Sequence, residues 1–129
     1  MSDRADGKFN VLIIDDSAFQ VKQISKMLEA QNFNVVGNAS DGVEGLKLFQ
    51  QLGDEIDLVT LDITMPGMDG ISCLKEIMKI NPKANVVMMS ALGKEDLVKE
   101  SLLIGAKGFI VKPLDVDKVK QVLQSIVKR

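Results

Sequence analysis

Two apolar segments of this chain run directly into acidic residues. Residues 11–14 are followed by Asp15 and Asp16, and residues 57–61 are followed by Asp62. Short aliphatic and β-branched segments of this kind are typical of buried strands in a parallel sheet. Because an unpaired buried carboxylate is costly, acids at strand ends need water, a cation or a basic partner. We therefore expect three carboxylates to meet in one polar crevice at the carboxyl edge of the sheet.

Two further polar side chains are expected at the same edge. Ser90 ends the apolar segment 85–89, and Lys112 follows the segment 108–111. A lysine supplies a compact positive charge suited to phosphoryl oxygens, and a serine supplies a hydroxyl donor. A carboxylate can act as the nucleophile toward a phosphoryl group, and carboxylate oxygens bind hard cations such as Mg²⁺ or Mn²⁺. Together these residues are the parts of a phosphoryl-transfer site.

Each of these residues has a simpler interpretation when it is taken alone. An Asp-Asp pair after a strand is more often a helix cap than a metal site. Ser90 alone would be an ordinary strand-end residue, and Lys112 alone would be a surface residue. Pro113 alone would mark only a turn. Their occurrence in this order on successive strands is what favours a shared site.

The intervening segments alternate between strand-like and helix-like patterns five times. Strands are predicted at residues 11–14, 34–39, 58–61, 85–89 and 108–111. Helical stripes of apolar residues are predicted over 18–30, 43–49, 71–78, 95–104 and 116–126. Five strand–helix units predict an α/β fold, a doubly wound five-stranded parallel sheet with five helices. In the flavodoxin-like strand order 2-1-3-4-5, the first and third strands are neighbours, which would place the three acids side by side.

Composition narrows the class of protein. The chain has 129 residues, a net charge of −2, one cysteine and no histidine. The net charge of −2 does not favour nucleic-acid binding, which requires a basic surface. No apolar run approaches the ~18 residues of a membrane span. The absence of histidine excludes Ser-His-Asp catalysis and histidine-ligated zinc. We expect one cytoplasmic domain over residues 9–129, preceded by a flexible tail over 1–8, with Cys73 serving only in packing.

The motifs resemble the receiver domain of two-component response regulators over nearly the whole chain. They are Asp15-Asp16, Asp62 with Met65-Pro66 and Asp69-Gly70, Ser90-Ala91, Gly105-Ala106-Lys107 with Phe109, and Lys112-Pro113. The length and the sequence around Asp62 and Lys112 are most similar to the single-domain chemotaxis members of that family. The resemblance implies a phosphoacceptor switch protein, not an enzyme, with possible self-catalysed phosphoryl transfer and autodephosphorylation.

The resemblance also implies a role for each matching residue at the acidic crevice. Asp62 would accept a phosphoryl group from a phosphohistidine on a sensor histidine kinase. Asp16, Asp62 and the backbone carbonyl of Thr64 would bind Mg²⁺, with Asp15 acting directly or through water. Lys112 would contact the phosphoryl oxygens.

Two residues would carry the switch itself: Ser90 would move to hydrogen-bond the phosphoryl group, and Phe109 would rotate inward behind it. The resemblance separately implies that the bond before Pro113 is cis. The output would be altered affinity for a flagellar motor switch protein. A dedicated phosphatase is a further implied partner, and the chain is expected to be a monomer.

The chain departs from common family patterns at three positions. Phe109 stands where many chemotaxis members carry tyrosine, so it offers partners no hydroxyl group. Thr64 replaces an asparagine that is common in enteric relatives, and Leu92 is apolar where a polar residue is frequent. Because the last two positions flank the phosphoryl group in the family, the dephosphorylation rate does not transfer from relatives.

Two alternative functions remain open from the sequence. The chain would be a phosphorelay intermediate, or a stand-alone receiver outside motility, if it passed its signal to a different partner. An aspartyl-phosphate phosphatase of the dehalogenase type is a more remote alternative. Such enzymes place a second acid two residues after the nucleophile, where this chain has Thr64.

Overall fold

Five parallel strands form a single sheet. They are β1 (Phe9–Ile14), β2 (Phe33–Ala39), β3 (Leu58–Asp62), β4 (Val86–Ser90) and β5 (Gly108–Val111). Their order across the sheet is β2-β1-β3-β4-β5, and every neighbouring pair is parallel. This arrangement confirms the predicted fold and strand order. The computed structural model describes residues 7–127, so most of the predicted tail and the last two residues lie outside it.

Five α-helices connect or follow the strands. They are α1 (Ala18–Ala30), α2 (Gly42–Leu52), α3 (Gly70–Ile80), α4 (Glu95–Ile104) and α5 (Val116–Ile126). A short 3₁₀ turn, Gly53–Glu55, lies between α2 and β3 and was not predicted. At the start of four of these helices, a side-chain oxygen accepts a hydrogen bond from a backbone N–H. The accepting side chains are those of Ser17, Asp41, Asp69 and Asp115.

The sheet separates two layers of core. Helices α1 and α5 pack on one face, where Ile24, Leu28, Val119 and Leu123 are fully buried. Helices α2, α3 and α4 pack on the other face. Because both faces are covered, β1 is buried at all six of its positions. The edge of the sheet where the strands end is therefore the place where polar residues of the central strands can reach water.

The predicted apolar stripes are wrong at four exposed positions. Val43, Leu102, Leu103 and Val116 are 51%, 47%, 87% and 53% exposed. In α2 the cause is Gly45, because a Cβ there would lie 2.6 Å from Ile14 Cδ1. The glycine lets the helix backbone rest on β1, and this contact turns the neighbouring valine toward solvent. Helical periodicity locates such a helix but does not identify the face that small residues bury.

One buried hydroxyl in β3 is expected to cost stability. Thr60 lies opposite Ile13 and Val87, is 1% exposed, and its Oγ1 has no hydrogen-bond partner among the described residues. Thr60→Val keeps the branched shape and removes the unsatisfied group, so it should raise the free energy of unfolding by about 1 kcal/mol. Urea unfolding measures the change. Thr60→Ser, which keeps the hydroxyl and removes a methyl group, should lower stability, and a destabilised valine variant would contradict the assignment.

Candidate functional site

The two acids after β1 differ in their surroundings. Asp15 is 2% exposed, and its Oδ1 accepts a hydrogen bond from the backbone N–H of Ser17 at 2.9 Å. Its own backbone N–H donates to the carbonyl of Ala39 at 3.0 Å. Asp16 is exposed. The first carboxylate is therefore fixed by the start of α1, whereas the second faces solvent and can adjust to a ligand.

Lys112 joins the end of β1 to the end of β3. Its Nζ lies 3.0 Å from Asp15 Oδ2 and 3.5 Å from Asp62 Oδ1. The shorter contact is a charge-assisted hydrogen bond, and the longer one is an ion pair at the limit of hydrogen bonding. The Lys112–Pro113 peptide bond is cis. The lysine side chain is only 13% exposed, so its charge acts mainly on these two acids.

The three carboxylates are crowded. One oxygen from each of Asp15, Asp16 and Asp62 lies within 4.8 Å of the others. Burial raises the pKa of Asp62 to about 6; the charge of Lys112 opposes this effect, and the charges of Asp15 and Asp16 add to it. Three ionised carboxylates beside one ammonium leave a net charge of −2. Hard oxygen donors with this excess charge fit a divalent cation such as Mg²⁺.

The hydroxyl of Ser90 is positioned by its own loop. Ser90 ends β4 and is 1% exposed, and its Oγ accepts a hydrogen bond from the backbone N–H of Leu92 at 2.9 Å. Its carbonyl accepts the backbone N–H of Lys112 at 2.8 Å, which ties the ends of β4 and β5 together. Because Oγ accepts from Leu92, its own hydrogen remains available to donate.

Two further residues that were predicted to belong to the site lie on segments next to the acidic cluster. Phe109 lies in β5 opposite Met88 and packs, half-buried, against the core formed by α2, α3 and α4. Thr64 lies in the loop between β3 and α3, and its side chain is exposed. The structure thus places Asp15, Asp16 and Asp62 in one cluster, joins Lys112 to Asp15 and Asp62, and places Phe109 and Thr64 on neighbouring segments.

Sequence reasoning missed the part that Gly70 takes in shaping this edge. Its backbone N–H donates to the carbonyl of Ile63 at 2.7 Å. A Cβ at this position would overlap the carbonyl oxygen of Asp62 and lie 2.6 Å from the Cα of Ile63. In the sequence the Asp69-Gly70 pair served only as one of the motifs of the family resemblance. The close approach of two backbones is a tertiary contact with no separate signal in the sequence.

Comparison with protein families decides what kind of domain this is. The model of the response regulator receiver domain matches residues 11–124. This chain belongs to that family. The match runs from within β1 into α5 and includes every residue of the site described above. The acidic cluster is accordingly of the kind at which receiver domains bind Mg²⁺.

Individual relatives narrow the class within the family. Chemotaxis protein CheY of Treponema pallidum is 48% identical over 93% of this chain and 83% of its own length. CheY of Thermotoga maritima is 41% identical over 92% of this chain and 97% of its own length. The receiver domain described here is therefore CheY-like, and these relatives support a chemotaxis response regulator.

A solved structure shares both the fold and much of the sequence. The CheX–CheY–BeF₃–Mg²⁺ complex of Borrelia burgdorferi contains a chain that matches with a TM-score of 0.91 and 52% identity. The match covers 94% of this chain and 90% of that one. Within residues 7–127, no helix is both long and apolar enough to cross a membrane.

Proposed function

We propose that this protein is a phosphorylation-controlled switch in which Asp62 accepts a phosphoryl group from a phosphohistidine on a sensor histidine kinase. The observation that carries the proposal is the position of the Asp62 carboxylate at the end of β3, 3.5 Å from the ammonium of Lys112 and beside two more acids. The chain contains no histidine, so the phosphohistidine must come from another protein. A carboxylate oxygen of Asp62 attacks phosphorus, and the phosphorus–nitrogen bond to the imidazole breaks.

The acidic cluster would hold the divalent cation that this reaction needs. We assign Asp15, Asp16, Asp62 and the backbone carbonyl of Thr64 as its ligands, on the crowding of the three carboxylates and their excess negative charge. A bound Mg²⁺ supplies positive charge for the phosphoryl oxygens, and Mn²⁺ would be accepted by the same oxygen ligands. Asp15 already has hydrogen bonds to Lys112 and to the Ser17 amide, so we expect it to bind the cation directly or through a water molecule.

Lys112 and Ser90 would stabilise the phosphorylated form. Lys112 can move from Asp62 to a phosphoryl oxygen while it keeps its shorter bond to Asp15. Ser90 can donate its free hydroxyl hydrogen to a second phosphoryl oxygen. An aspartyl phosphate adds about two negative charges, so both interactions strengthen upon phosphorylation.

The movement of Ser90 would transmit the signal to Phe109. The ring is half-buried and lies on the strand next to Ser90, so an inward rotation changes the surface around α4, β5 and α5. The phosphoryl group biases an existing two-state equilibrium. We infer that a cytoplasmic monomer then binds a flagellar motor switch protein, and that a CheA-like kinase and a phosphatase set its phosphorylation level. The chemotaxis relatives support this assignment.

A binding experiment tests this output. The full chain would be loaded with Mg²⁺ and beryllofluoride, a mimic of the phosphoryl group, and offered a motor-switch peptide and a histidine phosphotransfer domain. We expect beryllofluoride to strengthen binding of the peptide and not of the phosphotransfer domain. Phe109→Ala should lose this gain, whereas Val43→Ala, at an exposed position of α2, should retain it. Preference for the phosphotransfer domain would favour a phosphorelay instead.

Removal of the charge of Lys112 should separate metal binding from phosphorylation. Lys112→Met deletes the ammonium that competes with a metal ion for Asp15 and Asp62, so the affinity for Mg²⁺ should rise about tenfold. Calorimetric titration with Mg²⁺ measures this change. Phosphorylation by acetyl phosphate should nonetheless fall, because the phosphoryl group loses a cation. The exposed Lys107→Met is the control, and a weaker Mg²⁺ affinity in the first variant would show that Lys112 organises the metal ligands.

A further inference from the structure

A cleft adjoins the acidic cluster on the side of α1, and most of its lining residues have no part in the switch described above. It has a volume of about 540 Å³ and lies between α1 and the end of β2, within the size range of small-molecule sites. Ala18, Val21 and Ala39 form its apolar lining. Asp15 and Asp16 border one end, and Lys22 and Lys26 line the cleft along α1. The cleft therefore combines apolar contact area with basic groups at a distance from the acids.

A bulge in β2 directs an amide toward this cleft. Val35 pairs with Val11, but Gly37 pairs with Leu12, so Val36 is an extra residue in the strand. The bulge reverses the alternation of side chains, and Asn38 then pairs with Ile13, which faces α1 and α5. In a regular strand Asn38 would face the opposite layer. The bulge thus places the Asn38 side chain in the cleft, opposite α1.

The polar groups around the cleft lack partners within the described part of the chain. No hydrogen bond or ion pair joins the side chains of Lys22, Lys26 or Asn38 to another residue between 7 and 127. The two lysines lie one helical turn apart, with Cβ atoms about 6 Å from each other. Two ammonium groups and one amide N–H₂ therefore offer hydrogen-bond donors to a single ligand.

We propose that this cleft binds a small organic anion, with a carboxylate or phosphate group on an apolar body. The anionic group lies at the lysine end, where Lys22, Lys26 and Asn38 donate to it, and away from the carboxylate of Asp16. The apolar body covers Ala18 and Val21. The cleft shares Asp15 and Asp16 with the phosphoryl site of the proposed function, but its hydrogen-bond donors come from α1 and β2.

The test uses phenyl phosphate as the probe and the full chain without divalent metal or phosphodonor. We expect saturable changes in the ¹H–¹⁵N spectrum at residues 21–26 and at Asn38. Lys22→Gln/Lys26→Gln should weaken binding about tenfold, because two charge-assisted contacts are lost. Lys118→Gln/Lys120→Gln on α5 removes the same charge elsewhere and should leave the dissociation constant unchanged.

Ligand controls separate the parts of the proposal. Benzoate should bind at the same residues, whereas benzyl alcohol, which has the ring without the anion, should not. Inorganic phosphate, which has the anion without the ring, should bind more weakly than phenyl phosphate. The proposal is overturned if the spectral changes centre on Asp62, Thr64 and Lys112, if both double variants weaken binding equally, or if no probe reaches saturation.

Discussion

Asp62→Asn should reduce phosphorylation by acetyl phosphate to background. The amide has the shape of the carboxylate but lacks the anionic oxygen that attacks phosphorus. Neither Asp15 nor Asp16 can replace it, because Asp15 is bound by Lys112 and by the Ser17 amide, whereas Asp16 is exposed. Incorporation of radiolabelled phosphate at saturating Mg²⁺ measures the effect.

The matched control for this variant is Asp96→Asn. Asp96 lies in the first turn of α4 and is exposed, so its replacement removes the same charge without touching the site. It should be labelled at the rate of the unmodified protein. Thermal unfolding would verify that both variants are folded. Labelling of Asp62→Asn at an unchanged level would assign the phosphoacceptor to another residue.

Gly70→Ala should cause the largest loss of stability among the variants considered. The added Cβ would overlap the Asp62 carbonyl oxygen and lie 2.6 Å from Ile63 Cα, and both are backbone atoms that cannot move away cheaply. We expect the free energy of unfolding to fall by about 3 kcal/mol. Urea unfolding measures this loss. The fraction that still folds should be labelled poorly, because the displaced loop begins at Asp62.

Gly37→Ala provides the matched control for the glycine variant. A Cβ at Gly37 would meet the side chains of Leu12 and Leu52 at 3.5 Å, which is ordinary van der Waals contact. Its unfolding free energy should therefore change little. Chain entropy alone favours alanine in both variants, so an equal loss of stability would mean that the contact with the Asp62 carbonyl is not what makes glycine necessary at position 70.

The fold was predictable because local pattern and topology agree. Helices α1 and α4 and strand β5 have the predicted bounds, since caps or glycines mark their ends. At Gly105 the backbone φ of 137° ends α4 as the glycine suggested. The clustering of Asp15, Asp16 and Asp62 followed from strand order, because β1 and β3 are neighbours at the switch point.

Features that depend on contacts distant in sequence could not be predicted. The exposure of Val43 depends on the close contact of Gly45 with Ile14, and the role of Gly70 depends on the approach of its backbone to β3. The different surroundings of Asp15 and Asp16 likewise depend on Lys112, which is 97 residues away from Asp15 in the chain. Such contacts between residues far apart in the chain can be identified only from the tertiary structure.

The most direct test of the central claim is to locate the phosphorylated residue by mass spectrometry. Reduction of the phosphorylated chain with borohydride converts an aspartyl phosphate to homoserine, which marks the site permanently. After treatment with acetyl phosphate and Mg²⁺, we predict homoserine at position 62 and unmodified aspartate at positions 15 and 16. Homoserine at either of those positions, or a phosphate ester on Ser90 or Thr64, would contradict the account.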